Sequence, residues 1–435
     1  MKKKTLHSIA ALIIIGLFGV SCVREEPDLF SESAAMRVNH SMAAVNKLLM
    51  SAENGWIMEY FPNPESAGAT YIVSFISEDM AVMATKNKYV PNYAESDGHW
   101  RIINDMGPVL SFNTYNKVFH IYADPIDPAT GEADGEGLKG DYEFLIGATT
   151  PDSIALSGKK HYGKTILRKL DASQDWVGYF DKLSNMNTAL FGGYADTRLR
   201  LMVDNELNST LSNGSTHVFT LVPMGGTEID DGFTKPFIVT DYGLRLATPL
   251  KSGEKEIQSF RLSEDKNKLV SVDAGVNAEI TALDPVDVFQ NIINTRKLMQ
   301  MNNTDDNMSA SVKAEYEKIN TAITSVGRTL DYVAFTNHKD KGPSLTLLST
   351  RLSSRAEGFI GFTITPVNGT DINLKFTGTL DQGGQTFYNT YNAKELVRLL
   401  QGDFTVSILG AALTSTTLKF TSKADSSVWF NLYLR

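Results

Sequence analysis

Cysteine is scarce in this chain of 435 residues, which contains Cys22 and no other. With one thiol the chain cannot form an internal disulfide, and it lacks the paired cysteines of thiolate metal sites. If Cys22 is modified, no cysteine nucleophile remains. Any chemistry performed by this protein would therefore depend on oxygen and nitrogen groups.

Basic residues are also in deficit. Lys and Arg together number 41 against 50 Asp and Glu, which gives a formal net charge of -9 at pH 7. A protein that binds nucleic acid neutralises phosphates with clustered Lys and Arg. The short basic pairs of this chain, at 159–160 and 296–297, are isolated from one another in the sequence. We therefore expect that nucleic acid is not a partner.

Catalytic motifs are missing as well. None of the 7 histidines forms a paired zinc motif with glutamate, and no serine lies in the glycine-flanked elbow of serine hydrolases. Gly135, Gly137 and Gly140 match the spacing of a dinucleotide-binding loop, but the residues that follow predict a strand where that loop requires a helix. The sequence thus contains no assembled catalytic motif.

What the chain does have is a secretory signal at its amino end. Three lysines at 2–4 precede an apolar run at 9–20, which is too short to span a bilayer comfortably and ends just before Cys22. This arrangement predicts a lipoprotein signal peptide over 1–21 and acylation of Cys22, so that acyl chains anchor the mature protein to a membrane. The alternative is a buried structural cysteine after an uncleaved segment.

A short acidic tether, residues 22–28, follows the predicted cleavage site. Glu25, Glu26 and Asp28 resemble the export signal that sends Bacteroidetes lipoproteins to the cell exterior, although Arg24 interrupts the acidic run. We therefore expect a protein of the outer membrane that faces the cell exterior. The membrane itself would be its first partner.

Helical periodicity is confined to a few segments. Apolar residues recur at three- and four-residue spacing, and capping residues such as Asp284 with Pro285 mark helix starts. These patterns predict five amphipathic helices, near 38–52, 173–183, 284–293, 312–326 and 392–400.

Most of the remaining chain predicts short strands separated by turn residues. Gly358 and Gly361 bracket Phe359 and indicate a bulge. Hairpin-sized strands without intervening helices favour antiparallel pairing, so the predicted class is α+β, predominantly antiparallel β sheets with a few amphipathic helices. The predicted strands lie at 71–76, 118–122, 142–146, 199–203, 217–222, 257–262, 362–366, 404–409, 418–421 and 428–434.

Three units of chain follow the tether. Residues 29–170 predict a domain with a helix and a β sheet, residues 171–283 a β-rich domain, and residues 284–435 a helix pair with a β sheet. Each unit opens with a predicted helix and continues in strands.

The most acidic loop of the chain, between 124 and 141, is a candidate cation site. Hard cations such as Ca²⁺ bind several carboxylate and carbonyl oxygens, but the offsets of an EF-hand are absent and a glycine-rich surface loop needs no ion. We therefore expect no cofactor and leave Ca²⁺ open. The candidate ligands are Asp124, Asp127, Glu132, Asp134 and Glu136.

Three further residues are candidates for recognition or modification. Of the four tryptophans, Trp100, which lies beside His99 and Arg101, is the one we expect to be accessible, where it could stack on a sugar ring. His120 is a second candidate for ligand binding. The sequence Asp152-Ser153-Ile154 resembles the acceptor motif for O-glycosylation of exported Bacteroidetes proteins, which makes Ser153 a candidate acceptor.

Several segments of the amino-terminal half carry a resemblance to a known family, namely 29–37, 54–62, 107–116, 124–125 and 140–144. On these residues the chain resembles a domain-of-unknown-function family of Bacteroidetes lipoproteins. The resemblance implies no catalytic residues. Members of that family are typically encoded near TonB-dependent importers, SusD-like lipoproteins and a zinc metallohydrolase lipoprotein, which implies a role in nutrient capture.

Three functions fit the sequence. The first is a surface-anchored, non-enzymatic lipoprotein that binds a peptide or glycan nutrient, or that supports an importer complex with a SusD-like partner. The second is a cation-dependent hydrolase that uses loop carboxylates such as Asp124, Asp134 or Glu136 with His120. The third is an envelope scaffold or adhesion component.

Overall fold

The computed structural model describes residues 34–105, 107–128, 130–131, 135–192, 199–212, 214–223 and 234–435. The predicted signal peptide, Cys22 and the acidic tether lie outside the described residues. The described chain is rich in antiparallel β structure and carries six helices, consistent with an α+β protein that is mostly β. The predicted domain boundaries after residues 170 and 283 stay predictions.

Residues that favour a helix amino terminus mark the start of two of the helices. Pro285 opens one of them with Asp287 in its first turn, and in another the side chain of Asp175 accepts a hydrogen bond from the backbone N–H of Gly178 at 2.6 Å. No helix among the described residues is long and apolar enough to cross a bilayer. The bounds are α1 Ala34–Leu49, α2 Trp176–Phe191, α3 Pro285–Asn294, α4 Ala310–Ser325, α5 Gln382–Gln385 and α6 Ala393–Leu399.

The first sheet has nine strands in the order β4-β3-β2-β1-β9-β8-β7-β6-β5. Only Trp100 separates β4 from β5, so one bent segment pairs with β3 through its first half and with β6 through its second. The strands are β1 Trp56–Tyr60, β2 Ala69–Phe75, β3 Met80–Thr85, β4 Ala94–His99, β5 Arg101–Asn104, β6 Pro108–Ser111, β7 Glu143–Thr150, β8 Ser153–Gly158 and β9 Lys164–Lys169.

The second sheet is a closed barrel of eight consecutive strands, in which the first and last strands pair from Leu199 opposite Ala282. Closure leaves no unpaired strand edge. The strands are β10 Leu199–Val203, β11 Glu206–Ser212, β12 Val218–Pro223, β13 Thr234–Val239, β14 Gly243–Ser252, β15 Lys255–Leu262, β16 Lys268–Ser271 and β17 Ala278–Ala282.

The third sheet is also a closed barrel of eight strands, closed where Met299 pairs with Leu434. Its core includes the apolar faces of α3, α4 and α6. The strands are β18 Met299–Gln300, β19 Thr329–His338, β20 Gly342–Arg351, β21 Ser354–Pro366, β22 Asp371–Leu380, β23 Gly402–Leu409, β24 Thr417–Ser422 and β25 Trp429–Leu434.

One predicted strand is wrong. Residues 118–122 contain a short helical turn, His120–Tyr122, in place of a strand. The side-chain oxygen of Asn116 accepts hydrogen bonds from the backbone N–H groups of Val118 and Phe119, at 3.1 and 3.2 Å. A local side-chain bond of this kind favours a turn over strand pairing, despite the apolar and aromatic residues.

The first and second sheets share a buried polar contact. Glu59 on β1 and Arg245 on β14 are 2% and 3% exposed, and the Arg245 Nε lies 2.5 Å from Glu59 Oε2. Arg168 on β9 donates to Glu59 Oε1 at 2.7 Å and to Asp241 at 2.6 Å. Burial lowers the pKa of Arg168, but the charges of Glu59 and Asp241 outweigh it and raise that pKa above its ordinary value.

Candidate ligand-binding site

Only part of the acidic loop between 124 and 141 lies within the described residues. Asp124 accepts a hydrogen bond from the backbone N–H of Ile126 at 3.0 Å, and Glu136 forms an ion pair with Lys139 at 2.6 Å. Asp127 is half-buried. Glu132 and Asp134 lie outside the described residues. Among the described residues, no group of three or more acidic, histidine or cysteine side chains is placed to hold a metal ion.

His120 is buried, and both of its ring nitrogens are engaged by the backbone. Nδ1 accepts from the N–H of Asn116 at 3.0 Å, so Nε2 carries the proton and donates to the carbonyl of Phe112 at 3.1 Å. Burial lowers the pKa of His120, which favours the neutral ring. This arrangement leaves neither nitrogen available to a metal or a substrate.

The ring of His120 instead supports two exposed tyrosines. Tyr115 and Tyr142 both lie beside it, with their ring centroids 5.5 and 5.3 Å from that of the imidazole. Aromatic rings at this separation are in favourable contact. The buried histidine thus supports two tyrosines that are exposed to solvent.

Trp100 is not accessible, contrary to the expectation from sequence. It is 1% exposed, its Nε1–H donates to the carbonyl of Ser77 at 3.1 Å, and its ring meets that of Phe75 at 4.5 Å. Side chains alternate across a strand, so the residue between exposed His99 and exposed Arg101 points to the core. Burial excludes Trp100 from stacking on a ligand at the surface.

Ser153 lies at the start of β8 and is partly exposed. Its hydroxyl is 2.9 Å from the hydroxyl of Thr150 across the preceding turn. Its glycosylation stays a prediction.

The turn between β8 and β9 is held in place by Asp141. This buried carboxylate accepts hydrogen bonds from the backbone N–H groups of Lys160 and His161, at 2.9 and 2.7 Å. A Cβ atom at Gly158 would overlap the same carboxylate, so only glycine fits there. We name residues 159–163 the display turn, because the contacts beneath it fix its backbone and leave side chains exposed.

Tyr162 of the display turn occupies the left-handed region at φ 62° and is 64% exposed. This region is unfavourable for a bulky side chain and costs about 1–3 kcal/mol. Strained residues of this kind cluster at ligand-binding sites.

Two cavities meet at the display turn. One of about 680 Å³ extends toward Tyr142 and Glu143, and the other of about 590 Å³ extends toward Asn63 and Ser66. Both volumes are within the range of ligand pockets, about 300–1,000 Å³. The residues that line both cavities are Lys139, Lys160, His161 and Tyr162.

Ion pairing differs among the charged side chains around the cavities. Lys159 forms ion pairs with Asp105 at 2.5 Å and with Glu143 at 3.2 Å. Lys160 and His161 form no ion pair with the carboxylates of the described residues. Exposed aromatic faces beside an ammonium group, an imidazole and carboxylate oxygens can stack on sugar rings and hydrogen-bond their hydroxyls.

The sequence predictions missed the display turn. A signal was nevertheless present, because Gly158 and Gly163 enclose a run of two lysines, a histidine and a tyrosine between two predictable strands. What the sequence lacked was the position of Asp141, which lies nineteen residues before Lys160 in the chain and directly beneath it in the fold.

The comparisons with known proteins are sparse. A family model described as a domain of unknown function (DUF4302) matches residues 26–264, which is more than half of the chain and includes both cavities. No curated protein matches. A solved structure of DNA polymerase III subunit beta from Borrelia burgdorferi, in complex with a natural product, aligns at 10% identity and a TM-score of 0.13, covering 92% of this chain and 97% of that one. That alignment carries no argument about fold or function.

Proposed function

The chain belongs to the family described as a domain of unknown function (DUF4302), and from that premise we propose that it is a glycan-binding lipoprotein. It is anchored through acylated Cys22 to the outer membrane, faces the cell exterior, and binds a nutrient glycan at the display turn. The bound glycan then passes to an importer, for which a TonB-dependent transporter and a SusD-like lipoprotein are the candidate partners.

The observation that carries this proposal is Tyr162. An exposed ring on a strained backbone, between two cavities and above a buried carboxylate that fixes the turn, is costly for the fold. Preorganised aromatic rings bind ligands with little loss of conformational entropy. A sugar presents an apolar face and hydroxyls, which matches Tyr162 and Tyr142 beside Lys160 and His161.

A glycan is favoured over an extended peptide because the sheets offer few free edges. A peptide that adds a strand needs an unpaired edge, and the second and third sheets are closed. On the first sheet, the side chain of Asn116 donates to the carbonyls of Ser96 and Asp97 on β4, at 2.9 and 3.4 Å. Helix α1 packs against β5.

The test is the melting temperature of the purified full-length chain with oligosaccharides, peptides and Ca²⁺ in turn. A ligand that binds only the folded state raises this temperature. We expect an oligosaccharide to raise it in the parent chain and not in a Tyr162→Asn variant. Tyr115→Asn is the matched control, because Tyr115 and Tyr162 are both 64% exposed and Tyr115 lines neither cavity.

Other outcomes would overturn the proposal. Stabilisation by peptides alone would assign the cavities to peptide capture. Stabilisation by Ca²⁺ alone would favour the cation-dependent hydrolase, which the geometry of His120 does not support. No shift with any compound would favour an envelope scaffold or adhesion component.

A further inference from the structure

One end of the third barrel carries a fully exposed leucine. Leu352 lies in the turn between β20 and β21, is 100% exposed, and has a left-handed backbone with φ 52°. Glycine or asparagine suits this backbone far better than leucine. A leucine that gains no burial and strains its turn contributes nothing evident to the fold.

The end of α4 lies beside this turn. Val326, which caps that helix, is 45% exposed, and the next residue, Gly327, lies close to the guanidinium of Arg351. Arg328 then donates from Nη2 to the carbonyls of Ser349 and Ser354, at 2.7 and 3.2 Å. These hydrogen bonds hold the end of α4 against the hairpin of β20 and β21. Val326 and Leu352, both exposed, therefore lie at the same end of the barrel.

Three arginines lie within three residues of these apolar side chains along the chain. We name the set the basic tip; its members are Val326, Arg328, Arg351, Leu352 and Arg355. Two nearby carboxylates accept hydrogen bonds from hydroxyl groups, Glu357 from Tyr332 at 2.7 Å and Asp331 from Thr350 at 3.2 Å, so the three guanidinium groups of the tip outnumber these two carboxylates. A positive tip is unusual in a chain whose formal net charge is -9.

We propose that the basic tip binds a membrane surface that carries anionic lipid headgroups. Leu352 and Val326 enter the boundary between headgroups and acyl chains, while Arg351 and Arg355 contact the phosphates. Apolar side chains flanked by cations are the combination that binds such surfaces, and arginine keeps its charged head at the interface. The projecting tip fits a fluid surface better than a preformed pocket. This proposal does not depend on glycan binding.

The far end of β21 supplies a matched control. This strand begins two residues after Leu352 and ends at Pro366, so its thirteen residues separate the basic tip from Val367 by roughly 40 Å at about 3.3 Å per residue. Val367 is 62% exposed in its own turn. A membrane-bound tip requires Leu352 and not Val367.

The test is flotation of the full-length chain with vesicles, using a Cys22→Ser background so that acylation does not contribute. Vesicles of phosphatidylcholine alone are compared with vesicles that also contain phosphatidylglycerol. We expect preferential binding to the anionic vesicles, weakened by salt. Arg351→Gln with Arg355→Gln should weaken that binding at least about tenfold, because each cation near an anionic surface contributes measurably to binding.

Leu352→Asn separates a membrane role from a structural one. Asparagine suits the left-handed backbone, so this variant should melt no lower than the parent and yet bind anionic vesicles several-fold more weakly. Val367→Asn should bind like the parent. Equal binding to both kinds of vesicle, or equal losses for the Leu352 and Val367 variants, would overturn the proposal. So would a parent chain that ignores vesicles and binds an acidic protein at the same tip.

Discussion

Tyr162 and Leu352 occupy left-handed backbone positions with their side chains in solvent. Neither residue gains the burial that usually offsets such strain. The two positions differ in their surroundings: Tyr162 lies between two cavities, whereas Leu352 lies among arginines at a projecting turn. Because their surroundings differ, we assign a soluble ligand to Tyr162 and a membrane surface to Leu352.

His120 predicts a dependence of stability on pH. Burial lowers its folded pKa below the ordinary value of 6.5, so the unfolded chain binds more protons once the pH falls below that value. The stabilisation is complete above about pH 6.5 and is lost as the pH falls toward the folded pKa. We therefore expect the free energy of unfolding to decrease on acidification.

Urea unfolding at about pH 7.5 and about pH 5.5 measures this effect. His120→Gln should reduce the loss on acidification without removing all of it, because burial also lowers the pKa of His217. His99→Gln is the control, since His99 is exposed on β4. A His120 variant with the same acid sensitivity as the parent would contradict the neutral, buried histidine.

At the scale of elements, the contact between the first two sheets depends on Glu59. This residue accepts from Arg168 and Arg245, on two different sheets, and all five residues of β1 are buried. One face of β1 lies in the core of the first sheet, while on the other face Ile57 packs on α2 and Glu59 contacts the second sheet. Cover on both faces explains why β1 lacks the usual alternation. The apolar part of the contact is small, namely Phe61, Ile238 and Ala247.

Glu59→Gln should therefore destabilise both sheets. The substitution leaves the Arg245 guanidinium buried without its carboxylate, and breaking a buried pair costs about 3–5 kcal/mol. Hydrogen exchange at the amides of β1 and β14 measures the corresponding fall in opening free energy. Glu395→Gln, which breaks the exposed pair with Arg398, should leave these amides unchanged. Equal protection in both variants would show that the ion pair does not join the sheets.

Two local predictions at this scale had different outcomes. The bulge expected near Phe359 is present, because the register of β21 against β22 shifts between Ile360 and Phe362. The strand expected at 118–122 is absent, since the Asn116 side chain diverts the backbone into a turn. The glycines near Phe359 predict a bulge because glycine itself changes the backbone conformations that are allowed. The hydrogen bonds of the Asn116 side chain, in contrast, depend on the conformation of the folded loop.

For the whole molecule, the predicted acyl anchor is the most direct test of location. Metabolic labelling with a fatty acid should mark the parent chain, and Cys22→Ser should remove the label because the chain has no other cysteine. Ser21→Ala, which keeps a small residue before the cysteine, should retain it. An unlabelled parent chain, or a labelled Cys22→Ser variant, would contradict the lipoprotein prediction.

The sequence by itself determined the properties that depend on composition and on neighbouring residues. One cysteine excludes internal disulfides, and the periodicity of α3 and α4 indicates helices whose apolar positions are buried as expected. Turn residues and short apolar runs likewise indicated antiparallel β structure, because hairpins are local.

Only the tertiary structure decided what depends on residues far apart in the chain. Closure of the second barrel pairs Leu199 with Ala282, and the ion pair of Glu59 with Arg245 spans 186 residues. Trp100 is buried because its side chain faces the core of the first sheet, where its ring meets that of Phe75, and Tyr162 borders two cavities because Asp141 folds beneath its turn. Local sequence patterns do not predict such pairings, because the free energy that favours the pairings comes from packing that forms once the chain has folded.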